Sequence, residues 1–211
     1  PDAAHCLYLA RGFAWLFWGL LAAMLLFLSD ATMALSARLS LPAYVLGVAM
    51  ALWGSKVLRM AGPVTPRWLF LCRTLMALFV LSIYFAPFIK WWKDQPDELF
   101  FFVNVAAFAV IGILALATAS ALCLALAKRI GQKSYKVESL LCMVAVMLLL
   151  VILAVEAALA AYLAKLNLTS FSNEMRYMLL HFPRWTMHLL LVPFVLVLVA
   201  VWKGRELSHA C

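Results

Sequence analysis

Apolar residues in this chain run in long stretches and do not alternate with polar ones at the period of a helix face or a strand. Six such stretches fill it, at about 13–33, 41–58, 68–88, 99–127, 140–164 and 178–201. A hydrocarbon core of about 30 Å is crossed by roughly 20 helical residues, and none of these stretches carries the polar stripe of a soluble amphipathic helix. The pattern predicts an all-α integral membrane protein: six transmembrane helices with short connections, forming a single domain over 1–211.

Composition changes little in that picture. Hydrophobic residues make up 68% of the chain and charged ones 12%, half the roughly 25% of a soluble domain. Mean hydropathy is +1.04. The formal charge of +8 suits a membrane better than nucleic acid, because no long cationic run or aromatic-interleaved basic patch is present.

Basic residues flank alternate connections, Lys56, Arg59, Arg67 and Arg73 around the second and Lys128, Arg129, Lys133 and Lys136 around the fourth. The positive-inside rule places both connections in the cytoplasm, together with both termini, near which stand Arg11, Lys203 and Arg205. Asp30 offsets Arg38, and Asp94, Asp97 and Glu98 offset Lys90 and Lys93, so these connections are expected outside; Lys165, Arg176 and Arg184 weaken the asymmetry at the third outer one. Basic residues followed by glycine predict helix ends at Gly62, Gly131 and Gly204. Trp53, Trp68 and Trp202 mark the inner boundary, and Trp91, Trp92 and Trp185 the outer one. The stretch after Arg11 is read as a retained helix and not a signal peptide, since its apolar run is too long and its cleavage site poor. Size, basic-inside bias and the lack of eukaryotic sorting signals point to a bacterial inner membrane.

Cys6, Cys72, Cys123, Cys142 and Cys211 fall near the predicted cytoplasmic ends and are expected as free thiols. No CxxC pair or zinc spacing occurs, and no metal or cofactor is expected, although Cys72, Cys123 and Cys142 would be the residues to meet across helices at a soft-metal site. Small residues recur every three or four positions at Gly47, Ala51 and Ser55, at Gly112, Ala115, Ala119 and Cys123, and at Ala154, Ala157, Ala158, Ala161 and Ala164. Such stripes let helix backbones approach closely. Beyond the lipid bilayer, partners are therefore expected to be a second copy or other membrane subunits, engaged through Gly47, Ala51 and Ser55 or through Ala154, Ala158 and Ala161.

Glu156 interrupts the fifth apolar stretch. A charged group at a helix centre costs about 2.5–3.5 kcal/mol, so it must be protonated, paired or hydrated. The sixth stretch offers Arg184 and His188 four residues apart, with His181 seven residues before His188 on the same stripe. We expect an outward-facing polar cluster of Glu156, Arg184 and His188, with His181, Asn104 and Asp30 at its margin; it fixes helix packing, couples an ion to a solute, or recognises a ligand or a partner subunit. His181 and His188 lie about 10.5 Å apart along the axis, too far to share one metal. Pro183 is expected in the first turn of the last helix and Pro193 at a kink inside it.

No lipase, zincin, phosphate-loop or intramembrane-protease pattern is found, and enzymatic function is not expected. The sequence leaves two main readings: a non-catalytic subunit or assembly component of a membrane complex, and a small proton- or ion-coupled transporter or channel using the Glu156 cluster. An intramembrane transferase is the third.

Overall fold

The computed structural model describes residues 3–31, 37–61, 65–95, 98–167, 174 and 184–209, with side chains described for a smaller set that omits 3–4, 26–40, 93, 166–167 and 184–190. Their long elements are α1 (Ala3–Ala31), α2 (Ala37–Ala61), α3 (Pro66–Phe85), a short α4 (Pro87–Asp94), α5 (Leu99–Ile130), α6 (Lys133–Asn167) and α7 (Arg184–His209). Helix is what these stretches must form if lipid surrounds them, because no water is there to satisfy a backbone amide. Five segments are long and apolar enough to cross a membrane: His5–Leu25, Leu41–Ala61, Pro66–Trp92, Leu99–Ile130 and Lys133–Lys165. The sixth predicted stretch, 178–201, begins outside the described residues and continues as α7.

Consecutive helices are neighbours. α1 packs on α2, α2 on α3, α3 on α5, α5 on α6, α6 on α7 and α7 back on α1, closing a ring, with α5 and α7 also touching across it. The shared core includes Phe13, Leu16, Leu58, Trp68, Leu122 and Tyr135, each at most 1% exposed.

Local signals set several of the ends. Thr65 caps α3, its side-chain oxygen accepting from the Trp68 amide at 3.3 Å, and Pro66 occupies the first turn, where no donor is required. Gly131 closes α5 as expected, in the left-handed conformation (φ 76°), its amide donating to the Ala127 carbonyl. Two expectations of the same kind need correction. Gly204 does not end a helix: α7 continues to His209, and the missing side chain instead makes room for the Tyr135 hydroxyl. The third helix does not finish at 88 either; it is interrupted at Ala86–Pro87, where proline has no amide to donate, and resumes as α4.

The tightest contact in the ring is between α1 and α2. Glycines recur at a spacing of seven on both helices, Gly12 and Gly19 on one, Gly47 and Gly54 on the other. A Cβ built on Gly19 would lie 2.4 Å from the Ala51 nitrogen, and one on Gly54 would lie 2.5 Å from the Leu16 nitrogen. Backbone thus rests on backbone, and Gly47, Ala51 and Ser55 are all buried there. The face expected as one possible partner surface is filled from within the chain by α1.

Cross-helix polar contacts gather at the end where α1 starts and α7 finishes. Trp68 Nε1 donates to the Leu58 carbonyl at 3.0 Å, joining α3 to α2. Tyr135 Oη donates to the Ala200 carbonyl at 3.0 Å, Cys142 Sγ to that of Leu196 at 3.2 Å, and Lys203 Nζ pairs with Glu138 Oε1 at 2.5 Å, all joining α6 to α7. The opposite end is held by aromatic rings instead. Phe88 and Trp91 of α4 pack on Phe100 and Phe101 of α5, and Trp92 packs on Phe102.

Charge divides the same way. Among the described residues, eleven Lys and Arg lie toward the end where α1 starts and α7 finishes, against two acids, Glu138 and Glu206. Among the described residues that end therefore holds a large excess of basic over acidic side chains.

Candidate functional site

The inward face of α6 follows from its burial. Val146, Leu149, Leu153, Glu156, Ala160 and Leu163 are buried or half-buried, while Met147, Leu148, Val151, Val155 and Leu159 between them are exposed. Glu156 lies on the inward stripe, half-buried, and its carboxylate has no hydrogen-bond or ion-pair partner among the described residues. One turn further, Ala157 and Ala160 pack against Trp92 and Phe102 of α4 and α5.

Helix register sets which backbone positions share its depth. Phe102 meets Ala160, so Asn104 of α5 lies about two residues, ~3 Å, from the level of Glu156. Asn104 is half-buried, and its Nδ2 donates to the Phe100 carbonyl of its own helix at 2.7 Å. Between α6 and α7 the pairs Tyr135–Ala200, Glu138–Lys203 and Cys142–Leu196 fix an antiparallel register. Extended along both helices, it brings Glu156 within about a turn of the level of the Arg184 backbone, at the start of α7, and leaves the His188 backbone about 9 Å deeper along the axis. Phe17 meets Trp202 between α1 and α7, which puts Asp30 level with about residue 189. The expected cluster thus falls on two backbone tiers, Glu156, Asn104 and Arg184 on one and Asp30 and His188 on the other. The side chains of Asp30, Arg184 and His188, and His181 altogether, lie outside the described residues, as does Pro183. Pro193 is buried inside α7.

The cysteines are placed by packing. Cys6, Cys72, Cys123 and Cys142 are buried free thiols, and Cys211 lies outside the described residues. Among the described residues no three His, Cys, Asp or Glu side chains come together as metal ligands would.

The outer face of α6, which carries one of the two small-residue stripes expected to meet a partner, is open. The most apolar window of α6 has a mean hydropathy of 2.9, the highest of the five candidate spans, yet only 17% of it is buried, against 33–44% for the others. Ala154, Ala158 and Ala161 stand exposed on that face. The small-residue spacing was the available signal, but a stripe does not say whether it faces inward or out. No family model, curated protein or solved structure matches this chain.

Proposed function

We propose that the chain is a non-catalytic subunit or assembly component of a membrane complex, and that the outer face of α6 receives a helix of another subunit or of a second copy. The open, small-residue face of α6 carries this reading. Large side chains fill a lipid-facing surface well, whereas alanines at 154, 158 and 161 leave a shallow strip along which a second backbone can approach. The excess of basic side chains at one end among the described residues supports an inner-membrane location with both termini in the cytoplasm.

Cysteine introduced at Ala158 tests the reading, since the described native thiols are buried. Oxidation in native membranes is expected to trap Ala158→Cys in a disulfide-linked adduct. Ala158→Leu is expected to weaken the association about tenfold, or ~1.4 kcal/mol. A strictly monomeric Ala158→Cys protein, with Ala158→Leu indistinguishable from wild type, would overturn it.

A second reading, proton or ion coupling, is favoured by one observation: Glu156 faces inward without a partner among the described residues. In proteoliposomes, Glu156→Gln is then expected to keep the fold and abolish a pH-driven flux. No flux in wild type, or an undiminished one in Glu156→Gln, leaves the carboxylate a packing element.

A further inference from the structure

We propose that the α5–α6–α7 junction holds a binding space for a small amphiphilic amine, its ammonium on Glu156 and its hydrocarbon body reaching toward Gly112. The proposal rests on the same inward, unpartnered Glu156 as the coupling reading and names what that carboxylate takes.

The junction is packed unequally along its length. Toward the basic end Cys123, Tyr135, Val146 and Val197 are fully buried, and Cys123 meets the Tyr135 side chain. Toward the other end the packing loosens: Val105, Ala109 and Gly112 of α5 and Leu150, Leu153 and Glu156 of α6 are only half-buried. Gly112 precedes Cys123 by eleven residues, about three turns, so both lie on one line of α5. The exposed line of that helix, Val103, Ala106, Val110 and Leu114, is on the opposite side. Gly112 thus faces inward, yet nothing lies within 4 Å of its Cβ position, while its neighbours Ile111 and Ile113 are buried.

Register gives this space a length and a polar end. Phe102 meets Ala160, so Gly112 is level with about residue 150 of α6, ~9 Å from the level of Glu156. Glu156 stands eighteen residues, or five turns of about 3.6, beyond Glu138 on one line of α6. Glu138 pairs with Lys203, so Glu156 is placed on the α7 side of its helix. Beyond it Ala160, Phe102 and Trp92 close the seam between α5 and α6.

One carboxylate at the end of an apolar space selects its ligand. Its charge is costly there until a cation joins it. A metal ion needs several ligands, and among the described residues no three His, Cys, Asp or Glu side chains come together. A primary alkylammonium needs one carboxylate for its charge, and its chain leaves water for walls of alanine, valine and leucine. A hexyl chain is comparable in length with the distance from Glu156 to Gly112.

Labelling of Glu156 by dicyclohexylcarbodiimide in proteoliposomes, read by peptide mass spectrometry, tests the site. Hexylammonium is expected to protect Glu156, and hexanol, uncharged and of the same length, is not. Protection should strengthen about fourfold per added CH2 from ethylammonium to hexylammonium, the equivalent of ~0.8 kcal/mol each. Gly112→Leu and Gly112→Phe fill the space, so Glu156 should still react while the dependence on chain length flattens, more in the larger variant. Protection without any pH-driven flux would support the site while ending the coupling reading, so the two fail separately. A Glu156 already paired by Arg184, whose backbone stands within about a turn, would show no protection in wild type. That result, equal protection by hexanol, or an undiminished chain-length dependence in both Gly112 variants would overturn the proposal.

Discussion

Gly19→Ala is expected to be among the most damaging single-methyl changes this chain can suffer. The new Cβ would lie 2.4 Å from the Ala51 nitrogen and 2.7 Å from the Gly47 carbonyl oxygen. Both are helix backbone, so no side chain can rotate away; α1 and α2 must separate, and the neighbouring Gly54–Leu16 contact opens with them. Overpacking a core costs about 1–3 kcal/mol, and contact with rigid backbone on a seven-residue repeat places Gly19→Ala at or beyond the top of that range. Gly112→Ala is the control. Nothing lies within 4 Å of its Cβ position, and alanine is a better helix former by about 1 kcal/mol, so this change is expected to be neutral or mildly stabilising. Unfolding in bicelles measures both, and equal effects of the two substitutions would contradict backbone-to-backbone packing.

Tyr135→Ala is expected to cost about 3–5 kcal/mol, as truncation of a fully buried aromatic does. The ring fills the junction of α6 and α7, and its hydroxyl reaches the Ala200 carbonyl only because Gly204 has no side chain. Tyr135→Phe should cost less, about 0.5–1.5 kcal/mol, since a helical carbonyl retains its ladder bond when the extra donor is lost. Gly204→Ala would bring a Cβ to 2.6 Å from the Tyr135 hydroxyl. The two substitutions remove and create the same clash, so the double variant should be more stable than the sum of the single effects predicts. Strict additivity in that double-mutant cycle would deny the contact.

What could be read in the sequence is what lipid imposes on any chain. Span length and the lack of polar stripes located the helices, though not their ends: Arg11 lies well inside α1, and Lys133 opens α6, because a charged residue stops neither helical backbone nor a helix that projects past the bilayer. Gly131 and Gly204 carry the same sequence signal, basic residues followed by glycine, yet one adopts a positive φ and the other is a packing notch. Only the neighbour, Tyr135, distinguishes them, and it is 69 positions away in the chain. The Gly47, Ala51 and Ser55 stripe was visible, but its occupant depended on the matching repeat of Gly12 and Gly19 on α1. Glu156 was conspicuous as a carboxylate in an apolar run. Its inward direction needed the burial pattern of α6, and its depth relative to Arg184 and His188 needed the antiparallel register of α6 and α7, which no local pattern encodes.

The central proposal is that this ring of helices spans a membrane with its basic end on the cytoplasmic side. Cysteine labelling from each side of the membrane tests it most directly, at Lys133, the first residue of α6, and at Gln95 between α4 and α5, both exposed. The account predicts that a membrane-impermeant maleimide added outside intact cells modifies Gln95→Cys and spares Lys133→Cys until the membrane is permeabilised. Labelling of both from outside, or of Lys133→Cys alone, would contradict it.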